Sequence, residues 1–195
     1  VLEILEGPTW PRPEPVRFTL AFATLLHDIG KRRTVGRTPD RYTFHGHEHV
    51  GKRMASDICH RLKLANRERL RIEWLVEKHQ YLCDAPVMRA SRLKPMLAHP
   101  GIGELLALHR ADSIATGKSI AHVEFCENLL RTMPPEQLNP PPVINGDDLR
   151  AMGIEPGPLF KELLDAVREA QLEAAVRDKA EAIELVRRLL RDREA

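Results

Sequence analysis

Aromatic residues are scarce in this chain, at 5% of 195 residues, and β-branched residues do not gather in runs. Both are what strands are made of, and no period-two alternation stands out, which argues against a sheet-built fold. Cysteine is nearly missing as well. Cys59, Cys83 and Cys126 are odd in number, lie far apart and form no C-x-x-C pair. That argues against a disulfide framework and a cysteine zinc site, and it fits a reducing cytoplasm as the expected location. Neither sign of charge dominates: 30 Lys and Arg stand against 28 Asp and Glu. The molecule as a whole is therefore no electrostatic sink for nucleic acid, and any such contact must be a local patch. The longest apolar run, "TLAFATLL", is far short of the roughly 18 residues of a membrane span, and no cleavable signal pattern opens the chain. A soluble protein with no membrane partner is the expectation.

What is abundant is Leu, Ala, Glu and Arg at helical spacings. The expected fold is all-α, a helical bundle followed by a small helical tail. After a proline-rich loop, "GPTWPRPEP", the spacing predicts helices near 16–28, 46–64, 67–82, 101–116 and 119–131. "MPPEQLNPPPVINGDD" then forbids a continuous helix, because its prolines remove backbone donors. A first domain over 1–132, a linker over 133–146 and a tail over 147–195 follow. Tail helices are expected near 147–152, 157–173 and 179–192, the last opened by Asp178 with Glu181 three residues on. The stripe Leu159, Leu163, Val167 and Ala170 is ordinary core spacing. "VLEILEG", with no initiator methionine, reads as the last turns of a helix already under way, so the chain is expected to be a fragment.

Residues at i, i+3, i+4 and i+7 share a helix face, so what interrupts an apolar stripe is informative. Leu20, Ala23 and Thr24 end on His27. His47 stands one turn before Val50, Gly51 and Met54. Ile72, Leu75 and Val76 lead to His79, and Leu105 and Leu108 lead to Asp112. Four helices thus aim His27, His47, His79 and Asp112 inward, with Asp28 beside the first. An unpaired buried carboxylate is costly without a counter-charge. A divalent ion held by imidazoles and carboxylates satisfies the whole set, and such ligands suit Zn, Fe, Mn, Ni or Co.

"LLHDIGK", "FHGHEHVG", "LVEKH" and "HRADSIATG" together resemble the HD domain, a helical metal-dependent phosphohydrolase module, in the family's order of HD pair, His, His and Asp. "FHGHEHVGKRMA" with "PPPVINGDDLRAMGIEPGPLFKELLDAVREAQLE" is similar to the C-terminal half of bacterial tRNA nucleotidyltransferases and poly(A) polymerases, which carry an HD domain and a proline-introduced helical tail. The resemblance implies that His27, Asp28 and Asp112 hold one ion and that Asp28 bridges to a second held by His47 and His79. It implies metal-assisted hydrolysis of nucleotide or RNA phosphoesters with Mn, Fe, Ni, Co, Zn or Mg, in which the metal polarises the phosphoryl oxygen and activates water. Lys31, helped by Arg32 or Arg33, is expected to offset charge on the phosphate. The family's first ligand, a histidine on the preceding helix, has no counterpart before His27 and is expected upstream of Val1. No D-x-D or Gly-Ser pattern of a nucleotidyltransferase head occurs, and "GKRR" follows a helix without the order of a phosphate-binding loop. Nucleotide addition is therefore not expected of this chain alone.

Plainer readings stand beside these. Taken singly, His47 or His79 reads as a satisfied core histidine, and His45 and His49 as solvent-facing. His60, His99, His109 and His122 are expected to make surface hydrogen bonds only. Lys31 equally suits a solvated cation at a helix C-terminus. The runs "RLKLANRERLR" and "RASRLK" read as wet helix faces that could track a phosphate backbone without reading bases. "GIG" at 101–103 reads as a helix start. The main alternative to a hydrolase is an RNA-binding body that grips tRNA or an RNA 3′ end for a nucleotidyltransferase head, and a further one is a stand-alone nucleotide phosphohydrolase.

Overall fold

Leu20, Ala23 and Leu26 turn one face of the first helix, α1 (Phe18–Leu26), into a core, and the computed structural model builds the rest of the chain on the same rule over residues 17–194. The proline-rich loop and "VLEILEG" lie outside the described residues. The fold is all-α, with ten α-helices among the described residues. A 3-10 segment, Ile29–Arg33, leads into a two-stranded ribbon, β1 (Gly36–Arg37) and β2 (Tyr42–Thr43), paired antiparallel with Gly36 opposite Thr43. The sequence shows no sign of these strands because two residues per strand are too few to alternate. Helices α2 (His47–Arg61) and α3 (Asn66–Lys78) follow, then a 3-10 turn Ala85–Val87 and α4 (Ala90–Leu97). Next come α5 (Ile102–Ala115), α6 (Ala121–Thr132), α7 (Pro135–Leu138), α8 (Gly146–Ala151), α9 (Pro158–Leu172) and α10 (Lys179–Glu194). No helix of the described residues is long and apolar enough to cross a membrane.

The chain divides into two compact units. The first comprises the described residues up to Pro86 with 100–129. Its central element is α5, where Leu105, Leu106, Ala107, Leu108 and Ala111 are all buried, so the middle of the helix is covered on every side. Ile72, Leu75 and Val76 of α3 and Ala55 and Cys59 of α2 complete the core. Buried Glu104 is satisfied by Thr19 at 2.5 Å and Arg71 at 3.1 Å. The three cysteines are free, two of them buried, and burial pushes the Cys126 thiol up to about 11.

The second unit comprises 87–99 with the described residues from 130 on. Ile144, Leu149, Leu163, Val167, Val176, Ala182 and Val186 form its core. Asp178 accepts the Glu181 N–H at 2.9 Å at the start of α10. Helix α4 is not among the helices that spacing predicts, since it has eight residues and contains Pro95, which removes one intrahelical donor. Leu93 and Leu97, four apart and buried, hold it, and Glu173 accepts the Ser91 N–H at 2.8 Å. The run "RASRLK" thus belongs to the second unit, a partnership that linear order does not reveal.

Candidate metal centre

Helices α1 and α3 end at Leu26 and Lys78, so His27 and His79 stand at helix ends rather than within stripes, and His47 is the first residue of α2. All three are fixed by one local device. Each Nδ1 lies against the carbonyl three residues earlier: His27 on Thr24 at 2.7 Å, His47 on Phe44 at 2.8 Å, His79 on Val76 at 2.7 Å. A carbonyl only accepts, so Nδ1 carries the hydrogen and Nε2 is left facing inward. The three residues are buried, between 4% and 9% exposed.

The Nε2 atoms of His47 and His79 are 3.1 Å apart. In the neutral rings each carries a lone pair there, and the two repel unless a cation or proton stands between them. Oδ1 of Asp28 lies 3.4 Å from His47 Nε2 and 3.6 Å from His79 Nε2, too far for good hydrogen bonds. It is buried and has no hydrogen-bond partner, an orphan that costs desolvation free energy. Two ligands each about 2.1 Å from one ion stand roughly 3.0–3.4 Å apart at right-angled or tetrahedral geometry. Asp28, His47 and His79 come close to that spacing, and their donor atoms all lie within 4.8 Å of one another. The set could hold a divalent ion, and its imidazole and carboxylate donors suit a borderline metal.

The other carboxylate oxygen of Asp28, Oδ2, lies 3.3 Å from His27 Nε2 and accepts from Lys31 Nζ at 2.6 Å. Asp112 Oδ1 is 3.6 Å from the same His27 nitrogen. Asp28 therefore turns one oxygen to His27 and the other to His47 and His79. Burial alone would lower the His27 pKa, but Asp112 and Asp28 prevail and raise it to about 9. Burial likewise opposes ionisation of Asp28, yet His27, His79 and Lys31 hold its carboxyl far below the usual range. Asp112 is held low chiefly by His27.

Opposite pH slopes follow for the two states of the centre. With chelator present, the raised His27 pKa contributes stability that is complete below about 6.5 and is lost as pH climbs through about 9. The depressed carboxylates contribute above about 3.8 and lose it in acid. If His27 ligates an ion, its proton must leave, so affinity rises about tenfold per pH unit between roughly 7 and 9. Melting temperatures with chelator should fall over that window, while the increment given by added Mn²⁺ should grow. Parallel curves with and without the ion would show that His27 exchanges no proton for metal.

His45, His49 and His60 are exposed, and His49 lies 3.5 Å from Glu77. His109 corrects the sequence reading: it is 2% exposed, not at the surface. The middle turns of α5, where His109 sits, have no wet face on which to put it. Its Nε2 donates to the Lys78 carbonyl at 3.5 Å and its Nδ1 accepts from His122 Nε2 at 3.2 Å. Burial and the neighbouring His122 lower its pKa to about 4, so it is neutral at pH 7. Lys31 is half-exposed and ion-paired with Asp28, while Arg32 and Arg33 are exposed. The carbonyl anchors and the close contact of Gly30 with α2 lie beyond the sequence reading. The anchors are backbone and leave no residue signature, whereas the glycines of "HDIGK" and "HVGK" are a readable signal.

A family model described as the HD domain matches residues 3–117. Among curated proteins, the chain is similar to an A-adding tRNA nucleotidyltransferase of Deinococcus radiodurans, 35% identical over 179 residues that cover 87% of this chain and 41% of that protein. It is also similar to a CC-adding tRNA nucleotidyltransferase of Thermus thermophilus, 30% identical over 181 residues, 89% of this chain and 40% of that protein. The chain thus spans about two fifths of the length of these relatives. No solved structure matches it.

Proposed function

This chain belongs to the HD domain family, and on that premise we propose that its centre is a divalent-metal-dependent phosphohydrolase site acting on nucleotide or RNA phosphoesters. The observation that carries the reading is the orphaned Oδ1 of Asp28 facing two Nε2 atoms that are themselves 3.1 Å apart. His27, Asp28, His47, His79 and Asp112 would hold the metal, with Asp28 between the two groups. A bound divalent ion supplies Lewis-acid chemistry, polarising the phosphoryl oxygen and making water acidic enough to attack. Lys31, fixed on Asp28 beside it, keeps a positive charge at the edge of the centre where a phosphate oxygen can meet it. Asp28 and Lys31 are the residues assigned to the reaction.

The tRNA nucleotidyltransferase relatives make this chain, in our reading, the HD domain and helical tail of a longer cytoplasmic protein whose nucleotidyltransferase head and first histidine ligand lie elsewhere. The same likeness favours a second reading, an RNA-binding body with a structural HD site. The two part over chemistry. Purified without chelator, the protein should contain a transition metal and hydrolyse a member of a panel of cyclic phosphates, nucleotides and RNA ends, and EDTA should abolish turnover. A folded protein with negligible metal by mass spectrometry and no turnover with any added divalent ion rules out the hydrolase and leaves the RNA-binding body. A nucleotidyltransferase head in the upstream gene sequence would exclude the stand-alone phosphohydrolase.

A further inference from the structure

We infer that the arginine-bearing ribbon between the two ligand-bearing segments, residues 31–44, is a binding surface for single-stranded nucleic acid that delivers a strand end to the metal centre. Between Lys31 and Tyr42 the chain carries five cations against one carboxylate, Asp40, although the protein as a whole is balanced. Arg32, Arg33, Arg37 and Arg41 are all exposed, and none has a carboxylate partner among the described residues. The segment adds little to the core: between 32 and 42 only Thr34 and Gly36 are even partly covered. Its turn is nonetheless built, with Thr38 and Arg41 joined by backbone and side-chain hydrogen bonds of 2.9–3.2 Å around Pro39 and Asp40. A two-stranded ribbon is marginal by itself, so its geometry is held from its two ends.

Those ends are the centre. The segment leaves from Asp28 and returns at Phe44, whose carbonyl orients His47. Lys31 ties the two together, with Nζ on Asp28 and 5.7 Å from the centroid of the Phe44 ring. A ligand lying along the ribbon therefore leads to the carboxylate that faces both groups of histidines. The chemistry presented is of one kind. Guanidinium groups pair bidentately with phosphate oxygens and are weakly hydrated. Tyr42, 63% exposed with Arg37 stacked 6.0 Å from its centroid, offers a face on which a base can lie. Cations interleaved with an exposed aromatic suit a polymer with both phosphates and unpaired bases, rather than a duplex whose bases are covered.

The delivery half of this inference rests on the phosphohydrolase reading; the binding half does not. The test is fluorescence anisotropy of a labelled oligoadenylate, over a salt series, with the whole chain. Removing all four guanidinium groups (Arg32→Ala, Arg33→Ala, Arg37→Ala, Arg41→Ala) should flatten the slope of log K against log salt by about three, at roughly 0.7 per lost phosphate contact. Tyr42→Ala should weaken binding about tenfold at every salt concentration. Should the quadruple variant not fold, Arg37→Ala with Arg41→Ala, confined to the ribbon, should remove about half that slope. Equal slopes in variant and parent, or a parent that does not bind the oligomer, overturn the inference. Metal content measured on the same samples keeps the two readings apart. Asp28→Ala should still bind the oligomer although its metal is gone, whereas a parent devoid of metal would sink the hydrolase and the delivery role with it, leaving the slopes to decide the binding surface.

Discussion

Asp28→Ala is expected to reduce divalent-ion affinity by at least about a hundredfold, beyond the 10–100-fold typical of residues one shell further out. The reason is placement. Asp28 faces His27 at 3.3 Å with one oxygen and His47 and His79 at 3.4 and 3.6 Å with the other, so its loss removes the carboxylate that both groups face. In chelator the variant should melt below the parent, because it loses the Lys31 ion pair and one of the two carboxylates beside His27, a loss only partly offset by removing the unpartnered buried oxygen. What disappears is the rise in melting temperature on adding metal. Metal content by mass spectrometry together with thermal melting checks both statements, and unchanged metal in the variant would remove Asp28 from the centre. Asp28→Asn, which keeps the shape but not the charge, should fall between the two.

Gly30→Ala should damage the centre without touching a ligand. A Cβ at Gly30 would stand 2.1 Å from the His47 carbonyl oxygen and 2.7 Å from the Gly51 nitrogen. Both are backbone atoms, so no rotamer change relieves the clash, and the first turn of α2 has to move. Overpacking of this kind costs about 1–3 kcal/mol, occasionally more. His47 begins that turn, so its Nε2 moves away from His79, and metal affinity should fall at least about tenfold, the lower range for a residue that positions ligands. Gly117→Ala is the matched control. Gly117 has φ +65° with nothing within 4 Å of a Cβ, so the change costs only the roughly 1–2 kcal/mol of a left-handed backbone and should leave metal affinity alone. If both variants lose stability equally and keep metal, the close approach of the Gly30 segment to α2 does not set His47.

Much of the fold and of the centre is legible in residue spacing alone. The stripe Ile72, Leu75 and Val76 is buried, and the histidine that follows it is buried too. Leu163 and Val167 of the tail stripe lie in the second core. Such positions are readable because helical periodicity maps one dimension onto a face. His109 shows where that mapping fails. Where the middle of a helix is covered all round, no polar face exists, and a histidine after a leucine-rich run gives no hint that its partners are His122 and a backbone carbonyl. Helix α4 fails differently, since eight residues with an internal proline carry too little periodicity, and its packing partner lies some 80 residues away in sequence.

The sequence by itself determined the helical class, the apolar faces and the residue types available to a metal, because each of these follows from side chains at regular spacing. Only the tertiary structure decided that Asp28 divides its oxygens between His27 and the His47–His79 pair, that carbonyls of Thr24, Phe44 and Val76 turn every Nε2 inward, and that two glycines let Asp28's segment lie on α2. Those features are made by backbone atoms and by clearance between segments, and neither depends on residue type in a way that spacing along one chain can express.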